Sequence, residues 1–281
     1  MSPIYPFLFF LSKHELFFRY QDRILDILNQ IKTNNSVLIK KEIEKLNPEL
    51  VFATLALMQK EPAPFDDQHV GRLRYGEASY PEEFKLLTDP PLVFSYLGQP
   101  IWMKEKIAIV GSRHPSQKTL WWLRKELGTL LTKYNLVSVS GGAIGVDQLA
   151  HQASVDLKMP TIAILPSGIR NIYPKNFTSL SDEILNNGGC ILSEFQDQLS
   201  VRKHHFSHRN RLIAALGKVS VIVEAREKSG TSITAHRALE MGKDLFVVPG
   251  HPLDESFHGS LQLLKMGAHI MTESADLSYW L

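Results

Sequence analysis

The fold of this chain is decided by IAIVGSRHPS at residues 107–116, VSVSGGAIGVDQLAH at residues 137–151 and VIVEAREKSGTSITAHRALEMG at residues 221–242. Each stretch begins with an apolar, β-rich run, reaches a glycine-bearing turn and continues into a helical pattern. In a parallel α/β sheet such turns lie at the carboxyl ends of the strands, together with helix N-termini. The three turns are therefore predicted to meet at one crevice suited to phosphate.

Apolar runs of strand length alternate with segments of helix length through the rest of this region. This alternation is typical of βαβ units, and it predicts an α/β fold with a doubly wound parallel sheet. The predicted strands are Ile107–Val110, Leu136–Val139, Thr161–Leu165, Cys190–Leu192, Val219–Val223 and Leu245–Val248.

The amino-terminal part has a different pattern, because the first glycine is Gly71 and the residues before it show helical spacing. The segment EPAPFDDQH at residues 61–69 carries two prolines and two adjacent acids, which is typical of a linker. We expect a small all-helical N-terminal domain at residues 1–65 and an α/β domain at residues 66–281.

No targeting or membrane segment is predicted. The apolar segment IYPFLFFL at residues 4–11 lacks a basic start and small cleavage-site residues, and it is shorter than the roughly 20 residues that span a bilayer. The single cysteine, Cys190, lies in an apolar run and excludes an intramolecular disulfide. We therefore expect a cytoplasmic protein with a buried thiol.

Bulk charge does not indicate a partner, since 31 Lys and Arg oppose 29 Asp and Glu. Affinity for nucleic acid has to come from local clusters. The segment RKHHFSHRNR at residues 202–211 is such a cluster, with four Lys or Arg, three histidines, one aromatic ring and no acid. This composition favours a polyanion with exposed bases over a small nucleotide.

Ser207 predicts a helix start inside this cluster, with Arg209, Asn210 and Arg211 in the first turn. Cations there oppose the helix dipole, so we expect an anionic ligand or a carboxylate close by. Phe206 is either a stacking platform for a base or an anchor in the core.

Two histidines of the cluster also have the spacing of a zinc site. His204 and His208 stand four residues apart, as two zinc ligands on one helix face do. We expect them to straddle the helix start instead, and no convincing third ligand accompanies them. No metal is predicted.

The glycine turns are candidates for phosphate contacts, although each one alone is equally typical of a plain tight turn. Gly111 allows a sharp turn, Ser112 can bond phosphate oxygens and Arg113 offers a charged fork. No Walker A loop or dinucleotide fingerprint occurs, so we expect no cofactor. The other candidates are Ser116 at the next helix start, the Gly141-Gly142 turn, and Ser229, Gly230 and Thr231 in the third turn.

The chain resembles the DNA-processing protein A (DprA/Smf) family through VGSR, SGGAIGVDQLAH, FSHRNRLIAAL, SGTSITA and ALEMGK, in this order. The resemblance implies an extended Rossmann-like domain that binds single-stranded DNA and forms a homodimer. It also implies that the protein loads the recombinase RecA onto incoming DNA during natural transformation. The DNA pocket implied for this sequence comprises Gly111, Ser112, Arg113, Gly141, Gly142, Lys175, Lys203, Phe206, Arg209 and Arg211.

Two departures accompany this resemblance. Members of the family often carry a C-terminal winged-helix domain, and we expect none here, since the sequence ends at Leu281 directly after the sheet domain. The amino-terminal module shows no glycine hairpin of the helix-hairpin-helix type, so it gives no sign of binding DNA.

An enzymatic alternative comes from related phosphoribohydrolases, whose turn P-G-G-x-G-T-x-x-E ends in a catalytic glutamate. Thr234 stands in place of that glutamate, and we expect Asp147, Glu194 and Glu224 to be loop or helix-cap partners. We therefore expect a non-catalytic DNA-binding protein. A nucleotide-binding phosphoribohydrolase-like enzyme that uses the same crevice is the alternative, and a structural homodimer with an incidental anion site is a third.

Overall fold

The computed structural model describes residues 4–13, 15–31, 33–60 and 70–281 of the chain, so the linker predicted at residues 61–69 lies outside the described residues. Within them, one sheet contains all the strands. The strands are β1 (Gly71–Arg74), β2 (Val93–Gly98), β3 (Lys106–Gly111), β4 (Val137–Ser140), β5 (Thr161–Ile164), β6 (Cys190–Ser193), β7 (Val219–Val223), β8 (Leu245–Val247) and β9 (His269–Ile270).

The strands lie in the order β1-β2-β6-β5-β4-β3-β7-β8-β9. All neighbours from β6 to β9 are parallel, whereas β2 is antiparallel to both β1 and β6. The predicted doubly wound, mostly parallel sheet is therefore confirmed, and each predicted strand occurs within one or two residues of its expected bounds. The strands β1, β2 and β9, which the sequence pattern did not reveal, extend the sheet at its edges.

The order of strand addition reverses at β3. The chain adds β4, β5 and β6 on one side of β3 and then returns to add β7 and β8 on the other side. Loops that follow β3 and β7 consequently leave the sheet in opposite directions and open a crevice between them. Ligands of doubly wound sheets bind at such a switch point.

Helices cover both faces of the sheet. Leu123 and Leu127 of one helix and Val146 of the next pack on one face, and Leu212 and Leu263 pack on the other. The helices are α1 (Ile4–Leu11), α2 (Glu15–Gln30), α3 (Ser36–Leu46), α4 (Pro48–Lys60), α5 (Gln117–Tyr134), α6 (Val146–Asp156), α7 (Thr178–Asn186), α8 (Lys203–Leu216), α9 (Gly230–Glu240) and α10 (His258–Lys265).

The described part of the N-terminal domain is helical, as predicted, and consists of α1 to α4. Its core includes Phe7, Ile24 and Ile43, and it continues onto Leu92 and Val93 of the sheet domain. The boundary at residues 65 and 66 stays a prediction. None of the helices in the described segments has the length and apolar character needed to cross a membrane.

The predicted burial of the single thiol is confirmed. Cys190 begins β6 and is fully buried, and burial raises the pKa of its thiol well above the ordinary value. It is a core residue of the sheet.

One buried arginine fixes the N-terminal domain to the sheet. Arg74 of β1 is fully buried, and its guanidinium donates hydrogen bonds to the main-chain carbonyls of Leu28 (3.2 Å), Ile31 (2.6 Å) and Thr33 (2.8 Å) and to the Asn34 side chain. The Leu28 carbonyl lies in the last turn of α2, where helical carbonyls lack intrahelical donors, and the other two lie just beyond its end. A positive charge is also favourable at this end of a helix.

We expect Arg74→Met to lower the free energy of unfolding by about 3–5 kcal/mol, because several buried carbonyls lose their donor at once. Urea unfolding measures this change. Arg23→Met is the matched control, since Arg23 is exposed on α2 and should stay within about 0.5 kcal/mol of the wild type. A loss below about 1 kcal/mol for Arg74→Met would contradict the proposed anchoring role.

Candidate functional site

The three glycine turns meet as predicted, in a crevice of about 240 Å³ at the carboxyl ends of β3 and β7, which we call the switch crevice. Ala143 and Asp147 line it from the second turn. Nine of the predicted DNA-binding residues line it, namely Gly111, Ser112, Arg113, Phe206, Arg209, Asn210, Ser229, Gly230 and Thr231.

Main-chain hydrogen bonds to the end of β7 and the start of α6 hold the first turn in place. The Ser112 amide donates to the Val223 carbonyl (3.2 Å), and the Ser112 carbonyl accepts from the Val146 amide (3.1 Å). A Cβ on Gly111 would lie 2.0 Å from the Val223 oxygen. Close packing against β7 therefore requires glycine at this position, independently of any ligand.

Arg113, Phe206 and Tyr173 form a cluster at the mouth of the switch crevice. The Arg113 guanidinium carbon lies 5.0 Å from the centroid of the Phe206 ring, and Tyr173 meets the same ring edge-on at 5.9 Å. Phe206 is half-buried, and Tyr173 is 40% exposed. Arg113 is exposed and pairs with no carboxylate in the described part of the chain. This cluster presents a positive charge beside accessible ring surface.

Tyr173 was not among the predicted site residues. It lies in the loop between β5 and α7, far in sequence from both of its partners. An aromatic residue next to proline carries no functional signal of its own, so only the fold reveals that this ring reaches Phe206.

Helix α8 begins five residues earlier than predicted, so the expectation that Ser207 is its N-cap was wrong. The extended residue before the helix is Arg202, and its amide donates to Nδ1 of His205 at 3.1 Å. The His205 ring thus accepts from the amide of the N-cap residue, whereas a serine hydroxyl at the N-cap would accept from an amide of the first helical turn. Arg209, Asn210 and Arg211 consequently lie in the middle of α8, not in its first turn.

Arg209 lies beneath the switch crevice rather than open to it. Its side chain is buried, and its Nη1 donates to the carbonyl of Ile164. A Cβ on Gly141 would lie 1.8 Å from this Nη1, so the guanidinium fills the space that the glycine leaves. Burial lowers the pKa of Arg209 to about 10, which keeps it charged at neutral pH, and the nearby Asp147 carboxylate acts against this shift.

Arg211 faces away from the switch crevice. Its Nε bonds the Asp89 carboxylate at 3.0 Å and its Nη2 bonds Glu194 at 2.7 Å. Burial acts against its charge, but these two carboxylates outweigh burial and raise the pKa of Arg211. The expected carboxylate partner is therefore present, although it belongs to the protein's own core.

Several hydroxyl groups of the predicted site already have partners. The Thr231 hydroxyl donates to the Gly111 carbonyl (2.9 Å), and the Ser229 hydroxyl accepts from the Ser232 amide (3.2 Å) as the N-cap of α9. The Ser116 hydroxyl accepts from the Thr119 amide (3.2 Å) as the N-cap of α5. These three side chains shape the loops.

The carboxylates of the crevice also have structural partners. Glu224 is buried and accepts from the Ser116 amide (2.9 Å) and the Thr119 hydroxyl (2.5 Å). Asp147 accepts from the Gly141 amide at 3.2 Å. Thr234 is buried, and its hydroxyl donates to the Gly230 carbonyl at 3.2 Å. The expectation that Glu224 and Asp147 are loop or cap partners is confirmed.

The remaining predicted residues surround the switch crevice. Lys203 is exposed on the first turn of α8, three residues before Phe206 and on the same helix face. Lys175 is exposed two residues after Tyr173. Gly142 has a φ of 70°, and the Phe177 ring occupies the space where a Cβ would lie.

The two histidines considered as metal ligands share a helix, which corrects the expectation that they straddle a helix start. His204 and His208 both belong to α8, and His208 lies 2.9 Å from the Glu194 carboxylate. Neither residue lines the switch crevice. Among the described residues, no cluster of three or more His, Cys, Asp or Glu could hold a metal ion.

Comparison with known proteins identifies relatives of this chain. The family model of DNA recombination-mediator protein A matches residues 72–280. DNA processing protein DprA of Bacillus subtilis is 32% identical over 85% of this chain and 78% of its own length. The homologous protein of Streptococcus pneumoniae is 33% identical over 87% of this chain and 92% of its own length.

Two solved structures resemble the whole fold or its main domain. DNA processing protein A from Streptococcus pneumoniae has a TM-score of 0.73 and 27% identity, and covers 99% of this chain and 94% of its own. DNA processing protein A from Helicobacter pylori has a TM-score of 0.66 and 32% identity, and covers 74% of this chain and 93% of its own. The Helicobacter structure was reported for its single-stranded DNA binding mode.

Gly141→Ala tests the close packing beneath the switch crevice. The added methyl meets a guanidinium that is held by a buried hydrogen bond, so we expect a loss of about 1–3 kcal/mol in the free energy of unfolding. Gly128→Ala in α5 is the control, because its Cβ would meet only Leu157 at 3.7 Å. That variant should gain up to about 1 kcal/mol from helix propensity. Equal denaturation midpoints for both variants would contradict this account.

A buried histidine next to this site links stability to pH. His151 is fully buried, and its Nδ1 lies 2.8 Å from the Thr161 hydroxyl, which donates to the Ser138 carbonyl. Nδ1 is therefore the protonated nitrogen, and Nε2 has no hydrogen-bond partner within the described structure. Burial, aided by the charge of Arg209, lowers the pKa of His151 to about 3.

Because the unfolded chain binds this proton near pH 6.5 and the folded chain does not, stability is fully present above pH 6.5 and falls as the pH drops towards 3. Between pH 7.5 and pH 5 we expect His151 to account for a loss of about 2 kcal/mol. His151→Gln should flatten the pH dependence by that amount, measured by urea unfolding. The exposed His236→Gln should leave it unchanged, and equal slopes in all three proteins would refute the assignment.

Proposed function

The chain belongs to the DNA recombination-mediator protein A family, and from this we propose that it binds single-stranded DNA in the switch crevice and presents the strand to a recombinase. The observation that carries the proposal is the Arg113–Phe206–Tyr173 cluster. A cation beside accessible rings suits a strand whose phosphates and bases are both exposed.

We propose that phosphates are held by cations which the fold leaves without a carboxylate partner. Arg113, Lys175 and Lys203 are exposed, and none of them pairs with a described acid. The first amides of α9, at Gly230 and Thr231, add donors, since the first amides of a helix have no intrahelical acceptor. Such contacts position a strand without reading its sequence.

Bases would stack on Phe206 and Tyr173. Stacking contributes about 1–3 kcal/mol per base and tolerates any base, because every base has a π-face. The Arg113 guanidinium also lies over Phe206, so the ring is supported on one side before DNA arrives. A duplex hides its base faces and would gain only the phosphate contacts.

The other predicted residues would act beneath this surface. Arg209 supports the Gly141 turn and keeps a positive charge under the crevice, while Asn210 bonds the Gly230 carbonyl at 3.1 Å at the start of α9. Arg211 ties α8 to Asp89 and Glu194. Substitution of these residues should impair folding as well as binding.

Family membership supports the finer parts of the proposal. We propose that a homodimer of this chain protects incoming DNA in the cytoplasm and loads RecA onto it during natural transformation. We further propose that the protein is not an enzyme, since Glu224 and Asp147 are engaged by backbone amides at the crevice. A phosphoribohydrolase would need a carboxylate at the position of Thr234.

Fluorescence anisotropy with a labelled oligothymidine, single-stranded and duplex, across a salt series tests the proposal. We expect preference for the single strand, and at least about a tenfold loss for Arg113→Ala, since it removes a phosphate contact and the support of a stacking ring. The slope of log K against log salt should become shallower by about 0.7. Arg124→Ala, at an exposed site on α5, is the matched control.

Equal binding of both DNA forms, or none, would overturn the proposal. Nucleoside monophosphates would then be the ligands to test, with release of the free base as the readout for the hydrolase alternative.

A further inference from the structure

A second cavity, of about 850 Å³, lies between the N-terminal domain and the sheet domain. We call it the interdomain cavity. The N-terminal helices contribute Phe9, Lys13 and Phe18 to it, and the sheet domain contributes Phe195 and the outer face of α8. From its lining we propose that a single strand bound in the switch crevice continues around the first turn of α8 into the interdomain cavity. This inference rests on the proposed function.

The charge of the interdomain cavity suits a phosphate backbone. Its described carboxylates, Asp89 and Glu194, are both engaged by Arg211. Arg202 is exposed at its rim and pairs with no described acid. Lys13 adds a further cation, whose ammonium lies 4.4 Å from the centroid of the Phe9 ring.

A buried donor also points to an anionic or polar occupant. The Arg211 side chain is only 5% exposed and lines the interdomain cavity. Its Nη1 has no hydrogen-bond partner among the described residues. A buried, charged donor without an acceptor is costly, and an acceptor on a ligand would remove that cost.

The interdomain cavity also offers surfaces for bases. The Phe195 ring stacks on His205 with centroids 4.5 Å apart and is half-buried. Phe18 is 66% exposed at the opposite wall. Exposed phenylalanine and cations line this cavity together, as they do around Phe206, and this combination is what sequence-tolerant binding of single strands requires.

The two cavities are joined by one helix end. Phe206, Arg209 and Asn210 face the switch crevice, whereas His204, His208 and Arg211 face the interdomain cavity. The first turn between these faces carries Arg202 and Lys203 and no acid. A helix with its side chains is about 10–12 Å across, so a short length of strand can pass over this end. The amides of the first turn favour phosphate at that place.

The experiment compares two lengths of labelled oligothymidine by fluorescence anisotropy, one of about 6 nucleotides and one of about 18. The variants Phe18→Ala and Arg202→Ala remove exposed groups from the interdomain cavity. Phe52→Ala, at an exposed phenylalanine of α4, and Lys218→Ala, at an exposed lysine before the amino end of β7, are the matched controls. Circular dichroism melting verifies that all four variants are folded.

We expect each cavity variant to bind the long oligonucleotide at least about fivefold more weakly, with less than about a twofold change for the short one. Unchanged binding of both lengths, while Arg113→Ala still weakens both, would overturn the inference and leave the proposed function standing. An equal loss at both lengths would also overturn it. Failure of the wild type to bind any single strand would refute the proposed function and this inference together.

Photocross-linking gives a second readout that does not depend on substitution. A long oligonucleotide containing 5-iodouracil should cross-link to peptides that contain Phe18 or Phe195, as well as to the peptide of Phe206. Cross-links confined to Phe206 and Tyr173 would overturn the proposed path.

Discussion

The buried polar turn Arg209-Asn210-Arg211 in the middle of α8 is the constraint on which the rest of the site depends. Each side chain donates a hydrogen bond to a different part of the fold: the end of β5, the start of α9, and the acids Asp89 and Glu194. Moving any of these side chains away from its partner would leave a buried polar group without a hydrogen bond, which is costly. The loops at the carboxyl edge of the sheet are therefore held where these three side chains require them.

This arrangement separates residues that build the site from residues that can meet a ligand. Ser116, Ser229 and Thr231 use their hydroxyls within loops or helix caps, and Arg209 fills the space beside Gly141. Among the predicted site residues, the cations Arg113, Lys175 and Lys203 remain exposed. Because the loops beneath them are already hydrogen-bonded, a strand would bind to a surface that needs little reordering, which reduces the entropic cost of binding.

Much of this architecture could be predicted from the sequence, because a parallel sheet carries a strong and local signal. The runs from Ile107–Val110 to Leu245–Val248 are apolar on both faces, and each ends at a turn. The strands β1 and β2 escaped prediction because they form an antiparallel edge, where a short segment such as GRLR is only half-buried. The convergence of the three glycine turns followed from topology alone.

The details of the site could not be predicted, because they depend on contacts between residues distant in sequence. Ser207 is a typical N-cap residue, yet α8 begins five residues earlier, after Arg202, whose amide donates to the His205 ring. Arg211 has the same charge as Arg113, but its hydrogen bonds to Asp89 and Glu194, both distant in sequence, hold it inside the protein. Tyr173 reaches Phe206 only through the fold.

The near-neutral charge of the chain is compatible with tight binding of a strand because burial distributes the charges unequally. The buried Arg74 and Arg211 bind carbonyls and carboxylates inside the protein. Arg113, Lys175 and Lys203 are exposed at the surface. A duplex could reach these exposed cations, but its stacked bases could not reach the half-buried ring of Phe206. The selectivity for single strands that we propose therefore arises from the burial of the Phe206 ring, and it depends little on the net charge of the chain.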